Sequence, residues 1–326
     1  MRRREFIAAL GGAAAWPMVA RAQQSTVPVI GSLYSGTPET WEFFAPSFRQ
    51  GLKDGGYIEG QDVVIEYRWG RGEYDHLPKL AADLVERRVD VIAANGGEPA
   101  ALAAKAATST IPIVFGIGGD PVKLGLVDSL NRPGGNATGI SLMTPGLDRK
   151  RIELLHELLP AATLIAALVN PKNQLAEMQT NEIVEAARIT GNRLLVLNAS
   201  TEEELEAAFI ALHGEAADAL VVTADPFFLD RRSQLAALEA RFAVPAVYGF
   251  REFARAGGLL SYGSSPADAL GTIGRYVARI LGGAHPADLA VWQAVKIELV
   301  LNLKTAKTLG LTFPLSLLGR ADEVIE

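Results

Sequence analysis

The amino-acid sequence predicts a two-lobed α/β protein in which each lobe is a parallel β-sheet flanked by helices. Short apolar runs alternate with amphipathic segments from residue 27 to 115, and the same alternation returns from residue 149 to 248. Such alternation is typical of parallel sheets that are covered by helices on both faces. A turn-rich segment, residues 131–136, separates the two series, and a chain of 326 residues usually forms more than one domain.

The first series contains four predicted strands and three predicted helices. Apolar residues occupy every second position of residues 63–69, which predicts a strand with one apolar face. Apolar side chains recur every four residues in residues 41–55, which predicts an amphipathic helix. The strands are predicted at residues 27–33, 63–69, 89–94 and 111–115, and the helices at residues 41–55, 77–87 and 99–108.

The second series repeats the same units and defines the expected binding geometry. Helices are predicted at residues 149–159, 175–190, 202–213 and 232–242, and strands at residues 164–169, 193–197, 219–222 and 246–248. Ligands of open parallel sheets bind at the C-terminal ends of the strands. Two such sheets that face each other would place their strand-end loops on opposite walls of one cleft. The sequence therefore predicts a clamshell that closes around its ligand by a hinge motion.

The first 22 residues have the pattern of an export signal. Residues 3–7 read Arg-Arg-Glu-Phe-Ile, a twin-arginine motif, and a weakly apolar stretch follows at residues 8–19. Residues 20–22 form a small-x-small cleavage pattern, and the apolar stretch is shorter than the ~20 residues that span a bilayer. The alternative is a basic N-terminus that leads into a short buried helix. We expect a twin-arginine signal peptide that is cleaved near Ala22, and a mature protein in the periplasm.

Composition narrows the class of protein further. The chain has no cysteine, so we expect no lipid on an N-terminal cysteine, no disulfide, and a core that stabilises the fold alone. Removal of residues 1–22 takes away four arginines and one glutamate, which changes the formal net charge from −6 to −9. This charge argues against nucleic acid or anionic lipid as a partner. No later segment resembles a membrane anchor, and we expect a monomer.

The sequence offers little support for an exported enzyme. Its four histidines are dispersed along the chain, and no cysteine is present to complete a zinc or iron–sulfur site. Residues 116–121 are rich in glycine but lack the spacing of a dinucleotide or phosphate loop. Residues 258–263 are one residue too long for the G-x-S-x-G turn of a hydrolase and are better explained as a strand near a hinge. We expect a binding protein without catalysis, metal or cofactor.

Six segments of the chain resemble one known family. They include Gly-Gly-Tyr-Ile-Glu-Gly at residues 55–60 and Asn-Arg-Pro-Gly-Gly-Asn-Ala-Thr-Gly at residues 131–139. The others are residues 65–68, 111–115, 120–122 and 298–306. From residue 28 to 326 the chain resembles the ABC-transporter substrate-binding family that includes tryptophan- and other amino-acid-binding receptors. The resemblance implies a type I periplasmic-binding-protein fold, a small polar or aromatic solute such as an amino acid or related compound, and an inner-membrane ABC permease as partner.

The resemblance also implies how the chain is divided. Crossings between lobes near Thr138, Ser264 and Pro286 would give an N-terminal lobe of residues 27–138 plus 265–289. The C-terminal lobe would contain residues 139–264 plus 290–326. A periplasmic sensor that signals to a kinase or a chemoreceptor would use the same clamshell and ligand chemistry, so this alternative to transport stays open.

Strand-end loops of the first lobe supply six predicted ligand-binding residues: Tyr34, Ser35, Asn95, Gly97, Glu98 and Asp120. Tyr34 could stack on a ligand, and residues 95–98 precede a helix whose free backbone N–H groups could hold an anion. Similar receptors usually carry a hydroxyl residue where this chain has Glu98. A carboxylate there would repel an anion and favour an ammonium or hydroxyl group. The alternative is that Glu98 only stabilises the helix through its dipole and does not contact ligand. Asp120 is better explained as a helix cap than as a ligand contact.

The second lobe supplies five more predicted residues: Asn170, Asp225, Phe227, Tyr248 and Arg251. In similar receptors a strand-end carboxylate commonly holds the amino group of the ligand by charge-assisted hydrogen bonds, and Asp225 is the best placed for this role. Phe227 could form an aromatic wall or pack in the core. Arg251 could grip a carboxylate with two parallel hydrogen bonds or pair with a neighbouring acidic residue.

Overall fold

A computed structural model describes residues 27–144 and 146–326 of the chain. The predicted signal peptide, residues 1–22, lies outside the described residues. The described chain forms two α/β lobes, one built on a six-stranded sheet and the other on a seven-stranded sheet. The predicted fold of two lobes, each with a helix-flanked sheet, is therefore confirmed.

The strands follow one another along the chain in two groups, with three late additions. In order they are β1 (Val29–Tyr34), β2 (Val64–Trp69), β3 (Val91–Asn95), β4 (Ile113–Ile117), β5 (Ala137–Ser141), β6 (Leu164–Val169), β7 (Arg193–Asn198), β8 (Ala219–Val222), β9 (Ala246–Tyr248), β10 (Leu260–Gly263), β11 (Trp292–Gln293), β12 (Glu298–Asn302) and β13 (Glu323–Ile325).

Helices occupy most of the connections between these strands. In order they are α1 (Pro38–Asp54), α2 (Leu77–Glu86), α3 (Glu98–Ala107), α4 (Leu147–Leu158), α5 (Ala176–Thr190), α6 (Glu202–Gly214), α7 (Pro226–Asp230), α8 (Arg232–Phe242), α9 (Arg251–Arg255), α10 (Pro266–Leu281), α11 (Leu303–Thr308) and α12 (Leu315–Leu318). Short 3₁₀ helices form at Tyr74–His76 and Pro286–Asp288.

The chain crosses between the lobes three times. The first sheet has the strand order β11-β5-β4-β3-β1-β2, and the second has the order β13-β12-β10-β9-β8-β6-β7. The crossings therefore follow Ser141, Gly263 and Gln293, the last residues of β5, β10 and β11. The first and third lie a few residues beyond the boundaries expected at 138 and 289, because β5 and β11 pair with each other at the edge of the first sheet.

The second sheet is not entirely parallel, which differs from the prediction. All pairs in the first sheet are parallel, whereas β10 and β12 in the second sheet run antiparallel. The reason is topological. Strand β10 leads out of the second lobe, and β12 follows the third crossing, which brings the chain back into that lobe. Neighbouring strands that leave and enter through the same side must point in opposite directions.

Helices α1 and α10 pack closely enough that their contact requires glycine. A Cβ on Gly51 of α1 would overlap with the carbonyl oxygen of Gly271, and a Cβ on Gly274 would overlap with the carbonyl oxygen of Phe48. Helix α10 begins after Ser265, whose hydroxyl oxygen accepts a hydrogen bond from the N–H of the third helical residue at 3.2 Å. The contact fixes α10 over β3, β4 and β5, so that its first turns lie beside the cleft.

The second lobe contains a buried carboxyl group, Glu239 of α8, that makes its stability depend on pH. Its two oxygens accept hydrogen bonds from the N–H of Ala246 at 3.1 Å, the N–H of Leu259 at 3.2 Å, and the hydroxyl of Tyr248 at 2.8 Å. Burial raises the pKa of Glu239 from 4.5 to about 8, and these hydrogen bonds only partly oppose that effect.

We expect Glu239→Gln to flatten the pH dependence of stability. Between pH 4.5 and about 8 the folded protein holds a proton on Glu239 that the unfolded chain has released. The free energy of unfolding of the wild type should therefore fall as the pH rises through this window, by up to about 1.4 kcal/mol per pH unit from this group. Glutamine stays neutral and removes this contribution. Urea unfolding of both proteins across the window measures the difference, and parallel curves would contradict the raised pKa.

Two further properties concern only the part of the chain that the structure covers. No helix within residues 27–144 and 146–326 combines the length and the apolar character needed to cross a membrane. The same residues contain no group of three or more histidine, aspartate or glutamate side chains arranged to hold a metal ion.

Candidate functional site

A cavity of about 80 Å³ lies between the lobes, where the C-terminal ends of their strands meet. The first lobe contributes the ends of β1, β3 and β4 and the start of α10, and the second contributes the loops after β8 and β9. Apolar residues form most of the wall. The lining residues are Tyr34, Phe44, Asn95, Gly96, Gly97, Glu98, Gly116, Ile117, Gly118, Leu142, Thr144, Ala224, Asp225, Pro226, Leu229, Phe250, Pro266, Ala269, Leu270 and Ile273.

Asp225 is the carboxylate that the second lobe presents to this cavity. It precedes α7 and caps that helix, accepting hydrogen bonds from the N–H groups of Phe227 at 2.9 Å and Phe228 at 3.4 Å. The side-chain amides of Asn170 and Asn173 donate to its two oxygens at 3.0 and 2.7 Å. These bonds fix the carboxylate in one orientation at the end of β8.

A hydrogen bond across the cleft joins Asp225 to the first lobe. The hydroxyl of Tyr74, in the 3₁₀ helix after β2, donates to both carboxylate oxygens at 3.1 Å. Burial raises the pKa of Asp225, although the hydrogen bonds from Asn173, Asn170 and Tyr74 act in the opposite direction. The lobes are therefore in direct contact through a buried polar network in this structure.

Glu98, the first residue of α3, is a second buried carboxylate at the cavity. Its Oε1 accepts hydrogen bonds from the backbone N–H groups of Gly118 and Gly119, both at 2.7 Å. Burial raises the pKa of Glu98, the glycine N–H groups oppose this, and the charge of Asp225 adds to it. The cavity thus contains two carboxyl groups, and no lysine, arginine or histidine is among the described residues that line it.

Two buried polar atoms at the cavity make no hydrogen bond within residues 27–144 and 146–326. They are Asn95 Oδ1 and Thr144 Oγ1, and each residue is 1 % exposed. Asn95 pairs in register with Tyr34 on the neighbouring strand, so the two side chains emerge together at the sheet edge. Burial of a polar atom without a partner costs free energy. A molecule in the cavity could supply the missing hydrogen bonds.

A comparison with known protein families identifies the family to which this chain belongs. The family model for ABC transporter substrate binding protein matches residues 45–325. The chain belongs to this family. The resemblance expected from the sequence is confirmed, and the cleft between the lobes is the position at which a substrate-binding protein of this fold would hold its solute.

Individual relatives of this substrate-binding protein support the same conclusion. A tyrosine-binding protein of Clostridioides difficile (strain R20291) is 26 % identical over 264 residues, which is 81 % of this chain and 75 % of the relative. An ABC domain from Streptococcus pneumonia, solved in complex with L-Trp, is 25 % identical and covers 91 % of this chain and 100 % of its own, with a TM-score of 0.80. A conserved domain protein from Vibrio cholerae is 27 % identical over 91 % and 99 % of the two chains, with a TM-score of 0.83.

The structure brings five of the predicted residues to the cavity of the substrate-binding protein. They are Tyr34, Asn95, Gly97, Glu98 and Asp225. Each follows or ends a strand, as the argument from sheet topology requires. Their side chains or backbones approach the cavity from both lobes, and the two carboxylates among them carry its charge.

Four other predicted residues lie near the cavity without lining it. Ser35 is fully buried behind Tyr34, and Asp120 accepts hydrogen bonds at 2.9 and 3.4 Å from the backbone of the turn that follows it. Asn170 donates a hydrogen bond to Asp225 and does not itself line the cavity. The ring of Phe227 packs against the guanidinium of Arg231, whose central carbon lies 3.9 Å from the ring centroid. None of these four residues forms part of the cavity wall.

Tyr248 and Arg251 do not lie at the cavity, and for them the prediction needs correction. Tyr248 is completely buried in the second lobe, and its hydroxyl donates to Glu239 at 2.8 Å. Arg251 begins α9 and points towards the first residues of β12 and β13, where it pairs with Glu298 at 2.8 Å and with Glu323. The strand end is near the cleft, but the direction of each side chain takes it elsewhere.

The sequence analysis missed several residues that form the site. Tyr74 lies in a connection after β2, and no local pattern marks it as a partner of Asp225. Asn173 could have been found, because it lies in the same turn as Asn170 after β6. Thr144 lies at the first crossing, and part of the apolar wall comes from α10 and from Phe44 of α1.

The second lobe also contains a completely buried ion pair that the sequence did not reveal. Asp148 and Arg151, one turn apart on α4, are both 0 % exposed, and the guanidinium contacts the carboxylate directly. Arg151 Nε also donates to the carbonyl oxygen of Tyr262 at 2.9 Å. This buried cation is therefore neutralised within α4 and does not line the cavity.

Proposed function

We propose that this protein is the exported solute receptor of an ABC importer and closes around a small organic solute that carries an amino group. The solute class we infer is an amino acid or a related compound. Membership of the substrate-binding family supports the transport role, and the tyrosine-binding relative and the relative solved in complex with L-Trp support the solute class.

One observation carries this proposal: the buried carboxylate of Asp225 is held in a fixed orientation at the meeting point of the two lobes. Its partners Asn170 and Asn173 come from the second lobe, and Tyr74 comes from the first. A fixed, buried carboxylate is a strong partner for an ammonium group, because a charge-assisted hydrogen bond is favoured where water is excluded. Closure of the lobes would bury the ammonium group against it.

The twin-arginine pattern of residues 1–22 supports export, and with it a periplasmic location and action beside an inner-membrane permease. We propose that the mature protein acts as a monomer, in which the two lobes alone complete the cavity. A receptor of this kind needs no cofactor, since capture and release depend only on the equilibrium between open and closed lobes.

We expect Asp225→Asn to weaken solute binding by roughly 10- to 100-fold, as the loss of a charged hydrogen bond predicts. Asparagine can still cap α7, so the variant should fold. A thermal-shift screen of the wild type against amino acids and amines identifies binding solutes, because a solute at about 100 times its Kd adds about 2.7 kcal/mol of stability. Isothermal titration calorimetry of both proteins then measures the change.

Asp120→Asn is the matched control, because Asp120 is also a carboxylate that follows a strand and accepts backbone N–H bonds, but it lies outside the cavity. Its affinity should equal that of the wild type. An unchanged Kd in Asp225→Asn would remove this residue from the site. Small-angle X-ray scattering adds an independent test, and a binding solute that leaves the radius of gyration unchanged would contradict closure.

A further inference from the structure

The position at the cavity best suited to hold an anion is already filled by the protein itself. The backbone N–H groups of Gly118 and Gly119 point to one place at the end of β4, and both donate to Glu98 Oε1 at 2.7 Å. Adjacent backbone N–H groups of this kind form anion-binding concavities. The carboxylate of Glu98 occupies this concavity, so a ligand carboxylate would have to displace it.

The charge around the cavity also disfavours an anionic ligand group. Glu98 and Asp225 both face it, and the described lining residues include no cation. The buried guanidinium of Arg151 is paired with Asp148 outside the lining. A carboxylate placed between two buried carboxyl groups would lose its hydration without gaining a counter-charge. An ammonium group at the same place would gain two counter-charges, the carboxylates of Glu98 and Asp225.

The two polar atoms that lack a partner among residues 27–144 and 146–326 point to the same kind of ligand. Asn95 Oδ1 is a hydrogen-bond acceptor that needs a donor, and Thr144 Oγ1 can accept as well. Both residues are 1 % exposed and line the cavity. An ammonium group has three hydrogen-bond donors and no acceptor. It can therefore donate to these oxygen acceptors and to the carboxylates, whereas it could form no hydrogen bond with a free backbone N–H group.

We propose that the physiological solute is a primary amine with an apolar body and no carboxylate. The inference rests on the proposed function and narrows its solute class. Asp225, Glu98 and Asn95 would surround the ammonium group, and the apolar wall of Phe44, Phe250 and Ile273 would cover the remainder. Aralkylamines such as tyramine, tryptamine and phenethylamine fit this description, because they have no carboxylate that would compete with Glu98 for the N–H groups of Gly118 and Gly119.

The test compares each amine with the amino acid that differs from it only by the carboxylate. Tyramine, tryptamine and phenethylamine are titrated by calorimetry against tyrosine, tryptophan and phenylalanine. At least one amine should bind the wild type more tightly than its amino-acid partner, by tenfold or more if one charged contact decides the difference. Glu98→Ser vacates the N–H groups of Gly118 and Gly119. It should lower the ratio of amine to amino-acid affinity by about tenfold.

Glu239→Gln is the matched control, because Glu239 is likewise a buried carboxyl group that accepts backbone N–H bonds but lies outside the cavity. Its affinity ratio should equal that of the wild type. Circular dichroism confirms that Glu98→Ser is folded, and Glu98→Ala, which also vacates both N–H groups, serves in its place if it is not. Amino acids that bind the wild type as tightly as the amines would overturn the inference and leave the receptor function intact. Binding of neither class would also overturn it, and the receptor function would then be judged by the wider solute screen and by closure.

Discussion

Arg151→Met should lower the free energy of unfolding by about 3–5 kcal/mol, the largest effect that we expect from a single substitution. The substitution keeps an unbranched side chain but removes the counter-charge of Asp148, and both residues are 0 % exposed. Asp148 would then be buried without a partner, and burial already raises its pKa in the intact pair. Urea unfolding at neutral pH measures the loss.

Two further variants separate the charge from the packing. Asp148→Asn combined with Arg151→Met leaves no lone charge in the core and should regain part of the lost stability. Arg188→Met is the matched control, because Arg188 and Glu185 have the same three-residue spacing on α5 but are exposed. It should leave unfolding nearly unchanged. An equal loss in Arg188→Met and Arg151→Met would show that burial of the ion pair is not the cause.

Gly51→Ala should destabilise the first lobe by about 1–3 kcal/mol, the range for overpacking a close contact. The new methyl group would overlap with the carbonyl oxygen of Gly271, so α1 and α10 would have to move apart. Alanine favours helix by about 1 kcal/mol over glycine, which offsets only part of this cost. Thermal and urea unfolding measure the loss.

Because α10 lines the cavity, Gly51→Ala should also weaken solute binding. The control is Gly214→Ala at the end of α6, where a Cβ would meet no atom within 4 Å. That variant should be as stable as the wild type or more stable, with unchanged affinity. If Gly51→Ala proved equally harmless, α1 and α10 would have room to separate, and close packing would not explain the glycine.

Much of the fold could be predicted because strand and helix periodicity is a local property of the sequence. Apolar residues occupy every second position of residues 63–69, most of which form β2, and the four-residue spacing within residues 41–55 corresponds to α1. The antiparallel placement of β12 was not predictable in this way. The direction of β12 depends on where the chain re-enters the second lobe after β11, and the residues of β12 themselves do not indicate that direction.

The site could be predicted only as far as strand ends define it. Asn95 and Asp225 end or follow strands whose C-terminal ends face the cleft, and they lie at the cavity. Tyr248 and Arg251 occupy the same kind of position, yet their side chains point into the core and towards acidic partners. Tyr74 was missed because its role depends on how the two lobes meet, a relation between residues 151 positions apart.

The three crossings have a consequence for synthesis of the chain. Strands β1 to β5 are complete by Ser141, but the helix that covers this sheet, α10, ends only at Leu281. Until then α1 and the surfaces of β3, β4 and β5 that pack against α10 have no cover, and the second sheet still lacks β12 and β13. Neither lobe can fold completely while the ribosome is making it. Folding must wait until nearly the whole chain has emerged, and a nascent chain with such exposed faces needs protection from aggregation.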